Sequence, residues 1–402
     1  MARGLIEGNA IIGQSGGPTA VINQSLVGII EGLRGYKPVK KIFGMRHGVD
    51  GLIKHMPLVD LGALSSEQLE KIAKTPSACL GSSRNKPTEA DAPKIFEACK
   101  ANDIRYFFYI GGNDSSDTCR IVYEMGIKAG YELRCFHVPK TVDNDLMGSD
   151  HTPGYASAAR FVAMAFMADD RDNASLPGIK INVVMGRNAG FLTAASALAR
   201  QYEGDGPHLI YLPEVPFDTD RFVEDVKGVV TKYNRCQIAV SEGIKDKDGQ
   251  DIGAKLIAGD KDAHGNAQLS GSGALGDMLS NLLKEKFKSP TGKPPRVRAD
   301  TLGYLQRCWP EPSPVDSAEA RGAGIKAAVE AMNGLTDGSI AIIRLSNHPY
   351  RVDKRVLKLS DVAAKTRTMP PEFISGTHDV SRAFIDYAKP LIGDIMHFAP
   401  RL

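Results

Sequence analysis

The sequence predicts an α/β protein in which parallel strands alternate with helices. Short β-branched or aromatic runs recur along the chain, at residues 9–13, 105–110, 134–138, 179–185, 208–212, 237–240 and 339–345. Stretches with the apolar spacing of helices lie between several of these runs, at residues 20–33, 92–101, 116–129, 155–168 and 191–202. Such alternation indicates a parallel sheet covered on both faces. Ligands of these sheets bind at the carboxyl ends of the strands.

Length and composition indicate a globular protein of two or three domains. The chain has 402 residues, of which 24% are charged and 42% are hydrophobic, a composition typical of folded soluble proteins. The formal net charge of +3 makes nucleic acid an unexpected partner. No run approaches the ~20 apolar residues of a membrane span. The six scattered cysteines form no Cys-x-x-Cys pair and are typical of reduced thiols, so we expect a cytoplasmic protein.

Two segments are predicted to lack extensive regular structure. Residues 245–273 are rich in Gly, Asp and Lys, which predicts a surface loop with one short strand at 255–258. Its acidic residues do not have the spacing of a calcium-binding loop. Residues 289–295 contain three prolines and a glycine, which predicts a linker between elements.

Two glycine-containing turns follow predicted strands and could bind a phosphate. Gly16 and Gly17 lie between a strand and a helix, where backbone N–H groups and the helix N-terminus favour anions. Arg84 ends the turn at residues 80–84, and a guanidinium with neighbouring hydroxyls suits phosphate. Each turn taken alone is equally compatible with an ordinary structural loop.

Polar turns also follow the strands predicted at 105–110 and 134–138. Asn113 offers an oxygen to a hard cation such as Mg²⁺, and Asp114 adds a negative charge where a phosphate site would not favour one. Downstream, one carboxylate of Asp143 and Asp145 could accept a proton while the other holds Mg²⁺ or raises the first one's pKa. The alternative for these acids is a solvated turn without a catalytic role.

Three further segments carry residues suited to a sugar phosphate. Arginines and a tyrosine near one strand end suit a phosphate monoester, and a glutamate at the end of a buried strand suits a sugar hydroxyl. Separately, each residue is compatible with an ordinary surface position. The residues are Met185, Gly186, Arg187, Glu242, Arg298, Tyr304 and Arg307.

Taken in this order, the motifs resemble the phosphofructokinase family over about residues 9–310. The resemblance implies two Rossmann-like three-layer α/β/α domains of the phosphofructokinase type, with the active site in the cleft between them. It also implies a homo-oligomer, which we expect to be a homodimer or a homotetramer. We expect residues 1–150, completed by part of 275–310, to bind the phosphoryl donor. We expect residues 151–402 to bind the sugar phosphate and to end in a helical segment.

The resemblance assigns a role to each candidate residue. Asp143 resembles the general base for the 1-hydroxyl of fructose 6-phosphate, and Asp145 the neighbouring carboxylate that supports the metal. The implied catalytic set is Lys140, Asp143, Asp145 and Arg187, and the implied metal set is Asn113 and Asp145. Gly16, Arg84 and Asp114 would contact or select the donor. The implied sugar-phosphate contacts are Thr141, Val142, Met185, Gly186, Arg187, Glu242, Arg298, Tyr304 and Arg307.

Two residues resemble the pyrophosphate-dependent branch of the family. ATP-using members typically have glycine where this chain has Asp114, and many bacterial ones have glycine at Lys140. The carboxylate of Asp114 would occupy the space that the α-phosphate of ATP needs and would repel that phosphate. Lys140 would neutralise the charge of the transferred phosphoryl group. The family's usual metal-binding aspartate is Asn113 here, which leaves direct metal contact at that position open.

The resemblance therefore predicts a reversible, Mg²⁺-dependent reaction of glycolysis and gluconeogenesis. Pyrophosphate would phosphorylate the 1-hydroxyl of fructose 6-phosphate to give fructose 1,6-bisphosphate and phosphate. Two alternatives remain at this point. One is an ATP-dependent phosphofructokinase, and the other is a catalytically silent regulatory subunit that binds sugar phosphate.

Overall fold

A computed structural model describes residue 4 and residues 6–88, 90–253, 272–288 and 295–401. The strand predicted at 255–258 lies outside these residues, as do most of the predicted linker at 289–295 and much of the loop at 245–273. In the described part of the chain, no helix combines the length and the apolar character that crossing a membrane requires.

Strands and helices alternate along much of the chain, as the sequence predicts. The strands are β1 Gly8–Gln14, β2 Val39–Gly44, β3 Val59–Asp60, β4 Ile104–Gly111, β5 Arg134–Pro139, β6 Ile179–Val184, β7 Leu209–Tyr211, β8 Cys236–Ser241, β9 Val297–Thr301, β10 Asp337–Asn347, β11 Tyr350–Leu357, β12 Ile374–Ser375 and β13 Asp379–Val380. The helices are α1 Ile22–Leu33, α2 Val49–Ile53, α3 Ser66–Ala73, α4 Ala92–Ala101, α5 Asn113–Lys128, α6 Tyr155–Ser175, α7 Phe191–Ala195, α8 Thr219–Tyr233, α9 Ala274–Lys286, α10 Pro314–Met332, α11 Leu359–Val362 and α12 Arg382–Ile392.

A seven-stranded sheet forms the first of two compact units, in the order β11-β10-β5-β4-β1-β2-β3. Its five central strands run parallel, which confirms the predicted α/β class. The edge strands β3 and β11 run antiparallel to their neighbours, unlike the rest of the predicted parallel sheet. Strand β11 has a charged residue at four of its eight positions, which suits an edge that keeps one side in water.

Both faces of this sheet are covered by helices, because successive strand residues point to opposite sides. Ile12 and Phe108 pack on one face with residues of α1 and α10, such as Leu26 and Ala327. On the other face, Phe107 belongs to a separate apolar cluster with residues of α4 and α5. All of these side chains are fully buried. The two apolar layers fix the sheet and therefore the positions of the strand ends.

The second unit contains a four-stranded parallel sheet in the order β7-β8-β6-β9. Its core is built from apolar residues of these strands and of α8 and α9, such as Ile181, Phe222, Ile238 and Leu279. The short strands β12 and β13 form a separate antiparallel pair. The parallel arrangement places the carboxyl ends of β6 and β8 at one edge of this sheet.

The two units differ in extent from the domains expected from the sequence. The first unit comprises Met1–Ser157 and Arg307–Arg367, and the second comprises Ala158–Gln306 and Thr368–Leu402. Residues 307–367 therefore cluster with the N-terminal part of the chain, because β10 pairs with β5 and α10 packs along α1. Residues 275–306 cluster with the second unit, where β9 pairs with β6.

Several helix boundaries also differ from the predicted ones; α6, for example, ends at Ser175, seven residues after the predicted end. Helix α5 begins at Asn113, three residues before the predicted start, so Asn113 and Asp114 form its first turn. The helix predicted at 191–202 ends at Ala195 and continues as a 3-10 turn, Ser196–Ala199. The Ser196 hydroxyl donates to the carbonyl of Thr193 at 2.6 Å, a local bond that competes with regular helix geometry.

Candidate functional site

Three polar turns of the first unit meet at one edge of its sheet. Strands β1, β4 and β5 are parallel neighbours, and their residues Gly13, Tyr109 and His137 lie side by side. The turns that follow these strands hold residues 16–17, 111–114 and 140–145. The backbone N–H of Lys140 donates to the carbonyl of Gly111 at 2.9 Å, which links the second and third turns directly. The predicted meeting of these turns is therefore observed.

Lys140 is a buried cation within this group of turns. Its side chain is 3% exposed, and its Nζ donates to the Gly17 carbonyl at 2.7 Å. Burial lowers the pKa of Lys140 to about 7, and repulsion from Arg307 lowers it further while Asp143 opposes the shift. Because burial is the main cause of this shift, a bound anion would favour the protonated amine.

Gly16 allows the first turn to approach Lys140. Its φ is +75°, and a Cβ at this position would lie 2.9 Å from the Lys140 Nζ. A positive φ and a close approach both favour glycine. The Gly16 amide donates to the Ser83 carbonyl at 2.8 Å, and the Ser82 hydroxyl donates to the Gly16 carbonyl at 2.6 Å. These bonds bring the segment that carries Arg84 to the same group of turns, and Arg84 also lowers the pKa of Lys140.

Residues 143–145, which we call the acid turn, lie a few residues beyond the end of β5. The Thr141 hydroxyl accepts from the backbone N–H of Asp143 at 3.1 Å. Asn144 has a φ of +60°, and its buried side-chain oxygen accepts from the Thr152 amide at 3.0 Å. Burial raises the pKa of Asp145 to about 7, and the neighbouring carboxylate of Asp143 raises it further. Asp143 is partly exposed whereas Asp145 is buried, so the two acids sit in different environments, which can separate their roles in proton transfer.

Val142 precedes the acid turn and is only 7% exposed. Little of its surface is therefore open to a ligand.

Asn113 has an oxygen that suits a hard divalent cation. Its Nδ2 donates to Asp145 Oδ2 at 3.3 Å and to Thr366 Oγ1 at 3.4 Å. Its Oδ1 is buried and has no hydrogen-bond partner among the described residues. No group of three or more His, Cys, Asp or Glu able to hold a metal occurs within the described ranges. Mg²⁺ is commonly held by one or two protein oxygens together with phosphate and water, so Asn113 and Asp145 fit it.

Asp114 lies in the first turn of α5, where the helix dipole favours a negative charge. Its Oδ1 is 3.7 Å from Lys86 Nζ, and Lys86 is also 2.9 Å from Asp117 Oδ2. The pKa of Lys86 is raised, chiefly by its hydrogen bond to Asp117. Sequence reasoning missed Lys86, although its position two residues after Arg84 was a usable signal. The charge of Asp114 is therefore partly balanced by the same segment that carries Arg84.

His137 is a second residue that sequence reasoning missed. It is completely buried, and burial lowers its pKa to about 4, so it is neutral at physiological pH. Its Nε2 lies 2.8 Å from the Gly111 carbonyl and its Nδ1 lies 2.8 Å from the Ser339 hydroxyl. The neutral ring must donate from Nε2, because a carbonyl only accepts, and it accepts from Ser339. His137 thereby fixes the end of β4 without adding charge.

In the second unit, two predicted site segments lie side by side after β6 and β8. The amide of Gly186 donates to Glu242 Oε1 at 3.4 Å, and the Ser241 hydroxyl donates to the Gly186 carbonyl at 2.7 Å. The amide of Met185 donates to Gln306 Oε1 at 3.3 Å. The structure thus brings Met185, Gly186 and Glu242 together, with Gln306 as a contact that the sequence did not reveal.

The remaining predicted residues occupy different places. Arg187 follows Gly186 and is partly exposed. Arg298 lies on β9 beside Lys180 of β6 and donates to the Val297 carbonyl at 3.1 Å. Tyr304, in the 3-10 turn Gly303–Gln306, is 46% exposed. Arg307 belongs to the first unit, where a Cβ on Gly17 would lie 3.0 Å from its Cζ. Arg307 therefore lies beside the first turn and Lys140.

The turns of the first unit combine several cations with two buried or half-buried acids. Lys140, Arg84 and Arg307 can neutralise a polyanion, whereas one of the acids can accept a proton. This combination is what phosphoryl transfer requires, because its transition state spreads negative charge over oxygens while a hydroxyl loses its proton.

Comparisons with known proteins agree with this chemistry. The family model described as phosphofructokinase matches residues 9–332. The pyrophosphate–fructose 6-phosphate 1-phosphotransferase of Rhodospirillum rubrum is 52% identical over 99% of this chain and 97% of its own length. The protein of that name in Halomonas elongata is 37% identical over 91% of this chain and 87% of its own. The crystal structure of a pyrophosphate-dependent phosphofructokinase from Nitrosospira multiformis is 32% identical with a TM-score of 0.85, covering 98% of this chain and 94% of that one.

Proposed function

We propose that this chain, which belongs to the phosphofructokinase family, transfers a phosphoryl group from pyrophosphate to the 1-hydroxyl of fructose 6-phosphate. The products are fructose 1,6-bisphosphate and phosphate. The observation that carries the proposal is the buried Lys140, bonded to the Gly17 carbonyl, with the carboxylate of Asp114 in the first turn of α5. The high identity to proteins named for this reaction supports it.

Pyrophosphate binds at the turns of the first unit. The turn at Gly16 and Gly17 offers a close approach to backbone groups, and Arg84 and Lys140 contribute positive charge. Arg307, for which the family resemblance implies a sugar-phosphate contact, lies beside the same turn and contributes to the same positive field. Burial and repulsion from neighbouring arginines lower the pKa of Lys140, and a bound polyanion would raise it, so donor binding and lysine protonation are coupled.

Asp143 takes the proton of the sugar 1-hydroxyl as the hydroxyl oxygen bonds to the nearer phosphorus of pyrophosphate. The bridging P–O bond breaks, and the departing phosphate carries its electron pair. Lys140 and Arg84 offset the charge that develops on the transferred group and the departing phosphate. The proton then passes from Asp143 to a phosphate oxygen of the products or to solvent. The reverse reaction uses the same groups in the opposite order.

Asn113 and Asp145 would hold a magnesium ion. When bound, Mg²⁺ neutralises charge on the donor oxygens. Asp145 must be ionised to serve as a ligand, and the pKa of about 7 in the unliganded protein implies that a cation at this position displaces its proton. The orphaned oxygen of Asn113 would then gain a partner.

We propose the sugar-phosphate contacts that the family resemblance implies. Thr141 and Val142 directly precede the acid turn, and Glu242 accepts from a sugar hydroxyl. The remaining proposed contacts are Met185, Gly186, Arg187, Arg298 and Tyr304. Arg187 adds charge stabilisation to its role in binding. We also propose that the protein is a cytoplasmic homodimer or homotetramer.

The donor assignment is tested by initial rates with pyrophosphate and with ATP at equal Mg²⁺ and saturating fructose 6-phosphate. We expect turnover with pyrophosphate to exceed turnover with ATP by about 10²-fold or more, comparable with the loss caused by removing one preorganised charge-stabilising group. Faster turnover with ATP would contradict the donor assignment. Binding of fructose 6-phosphate without turnover by either donor would indicate a regulatory subunit instead.

The pH dependence of pyrophosphate binding gives a second prediction. The pKa of Lys140 is about 7. Below this pH the Lys140 amine is protonated and attracts the donor, whereas above it the amine of the unliganded protein is neutral. We expect the affinity to weaken by up to about tenfold per pH unit as pH rises above 7, because binding must then take up one proton. Calorimetry in buffers of different ionisation enthalpy measures that uptake.

The control for this prediction is Lys140→Met, since pyrophosphate and Asp145 titrate in a similar range. The wild-type protein should take up more protons on binding at pH 8 than the variant does. Equal uptake by the two proteins would remove Lys140 as the group responsible.

A further inference from the structure

The acid turn is held by a residue that lies more than 200 positions away in the sequence. Arg367 donates from Nε to the Asn144 carbonyl at 2.8 Å. Its two terminal nitrogens donate to the carbonyls of Ser149 at 2.6 Å and Asp150 at 2.5 Å. The backbone N–H of Arg367 also donates to the Asp145 carbonyl at 2.9 Å. One residue thus bonds four backbone oxygens of a single segment.

The neighbouring Thr366 extends this contact to the candidate metal ligands. Thr366 pairs with Leu146 in an isolated antiparallel bridge, directly after the acid turn. Its hydroxyl lies 3.4 Å from Asn113 Nδ2, which in turn lies 3.3 Å from Asp145 Oδ2. Residues 366–367 therefore contact both the acid turn and the first turn of α5.

The geometry of Arg367 distinguishes it from an ordinary surface arginine. Its guanidinium donates to three carbonyl oxygens of residues 144–150, so these bonds restrain the backbone and not a mobile side chain. The planar fork of a guanidinium sets several donors at fixed angles, and bonds from a charged donor are stronger than neutral ones. The positive charge also lowers the pKa of Asp145, against the effect of burial.

We propose that Arg367 is a positioning residue for phosphoryl transfer, holding the backbone of residues 144–150 so that Asp143 and Asp145 keep their reactive geometry. The inference rests on the proposed function for its effect on turnover. Its structural part, the restraint of residues 144–150, does not depend on which substrates the protein uses. A displacement of about 1 Å in such a group can cost about 10²-fold in rate.

The test compares Arg367→Ala and Arg367→Lys with Arg355→Ala, a control that removes an exposed arginine of the same unit. Turnover is expressed per fructose 6-phosphate binding site, so that loss of folded protein is not counted as loss of rate. We expect Arg367→Ala to lower kcat about 10²-fold and to leave the KM for fructose 6-phosphate within about threefold. Added guanidinium ion should restore part of the rate of Arg367→Ala and have no such effect on Arg355→Ala. The lysine variant, which keeps the charge without the fork, should fall between wild type and Arg367→Ala.

Hydrogen exchange provides a readout that needs no turnover. Amides of residues 143–150 should exchange faster in both Arg367 variants than in wild type, whereas amides of β4 should be unchanged. Unchanged exchange at 143–150 would overturn the proposal. So would a folded Arg367→Ala or Arg367→Lys with wild-type turnover, and the lysine variant decides the matter if the alanine variant does not fold. Failure of the proposed function would show separately, as wild-type protein that does not turn over pyrophosphate.

Discussion

Asp143→Asn is expected to lower turnover with pyrophosphate about 10³-fold, because a positioned general base typically contributes 10²–10⁴-fold. The amide keeps the size of the carboxylate but cannot take the proton of the sugar hydroxyl. The turn itself should persist, since the bond from the Asp143 backbone N–H to the Thr141 hydroxyl does not involve the changed group. Initial rates and calorimetric binding of fructose 6-phosphate measure the two effects separately.

The binding measurement distinguishes the loss of a catalytic base from a general loss of substrate binding. The affinity for fructose 6-phosphate should change by less than about threefold, because an interaction made only in the transition state affects rate and not ground-state binding. Asp361→Asn, which alters an exposed acid of the same unit, should keep wild-type turnover. Ordinary turnover in Asp143→Asn would remove Asp143 as the base.

The second large effect is expected from changing the donor-selecting residues together. Asp114→Gly combined with Lys140→Gly should lower turnover with pyrophosphate by about 10²-fold or more, the cost of losing one charge stabiliser. The same double change should raise the ratio of ATP to pyrophosphate turnover, because it opens the space and removes the charge that oppose the α-phosphate of ATP. Parallel initial rates with both donors at equal Mg²⁺ measure the ratio.

Single variants separate charge from space in this selection. Asp114→Asn removes the charge alone, and Asp114→Gly removes the charge and the side chain. A matched control is Asp117→Asn, which removes the charge of the other carboxylate paired with Lys86 and should leave the donor ratio unchanged. If the double variant keeps the wild-type ratio, Asp114 and Lys140 do not select the donor.

Features that depend on local sequence were predicted well. The apolar runs before Gly111 and Lys140 predicted buried strands, and the parallel arrangement then required their polar turns to meet at one edge. The alternation of strands and helices likewise predicted the fold class. These features follow from the periodicity of a few consecutive residues, so a single sequence contains enough information to find them.

Features that depend on distant parts of the chain were not predictable in this way. Nothing near Arg367 or Thr366 in the sequence indicates that they contact the segment after β5, because the contact depends on how β10 and β11 join the sheet. Strand β11 has charged residues at four of its eight positions and lacks the continuous apolar run that marked the central strands. The neutral state of His137 follows from complete burial, which composition alone does not reveal.

The discontinuous make-up of the first unit has a consequence for its synthesis on the ribosome. Strand β5 finds its neighbour β10 only after about 200 further residues have been added, and the second unit's main segment lies between them. Until then, the emerging chain exposes the edge of β5 and the face of α1 that α10 will cover. An unpaired strand edge and uncovered apolar surface are the features that chaperones protect. The order of translation therefore leaves the lysine-containing turn after β5 without its full support until late in the growth of the chain.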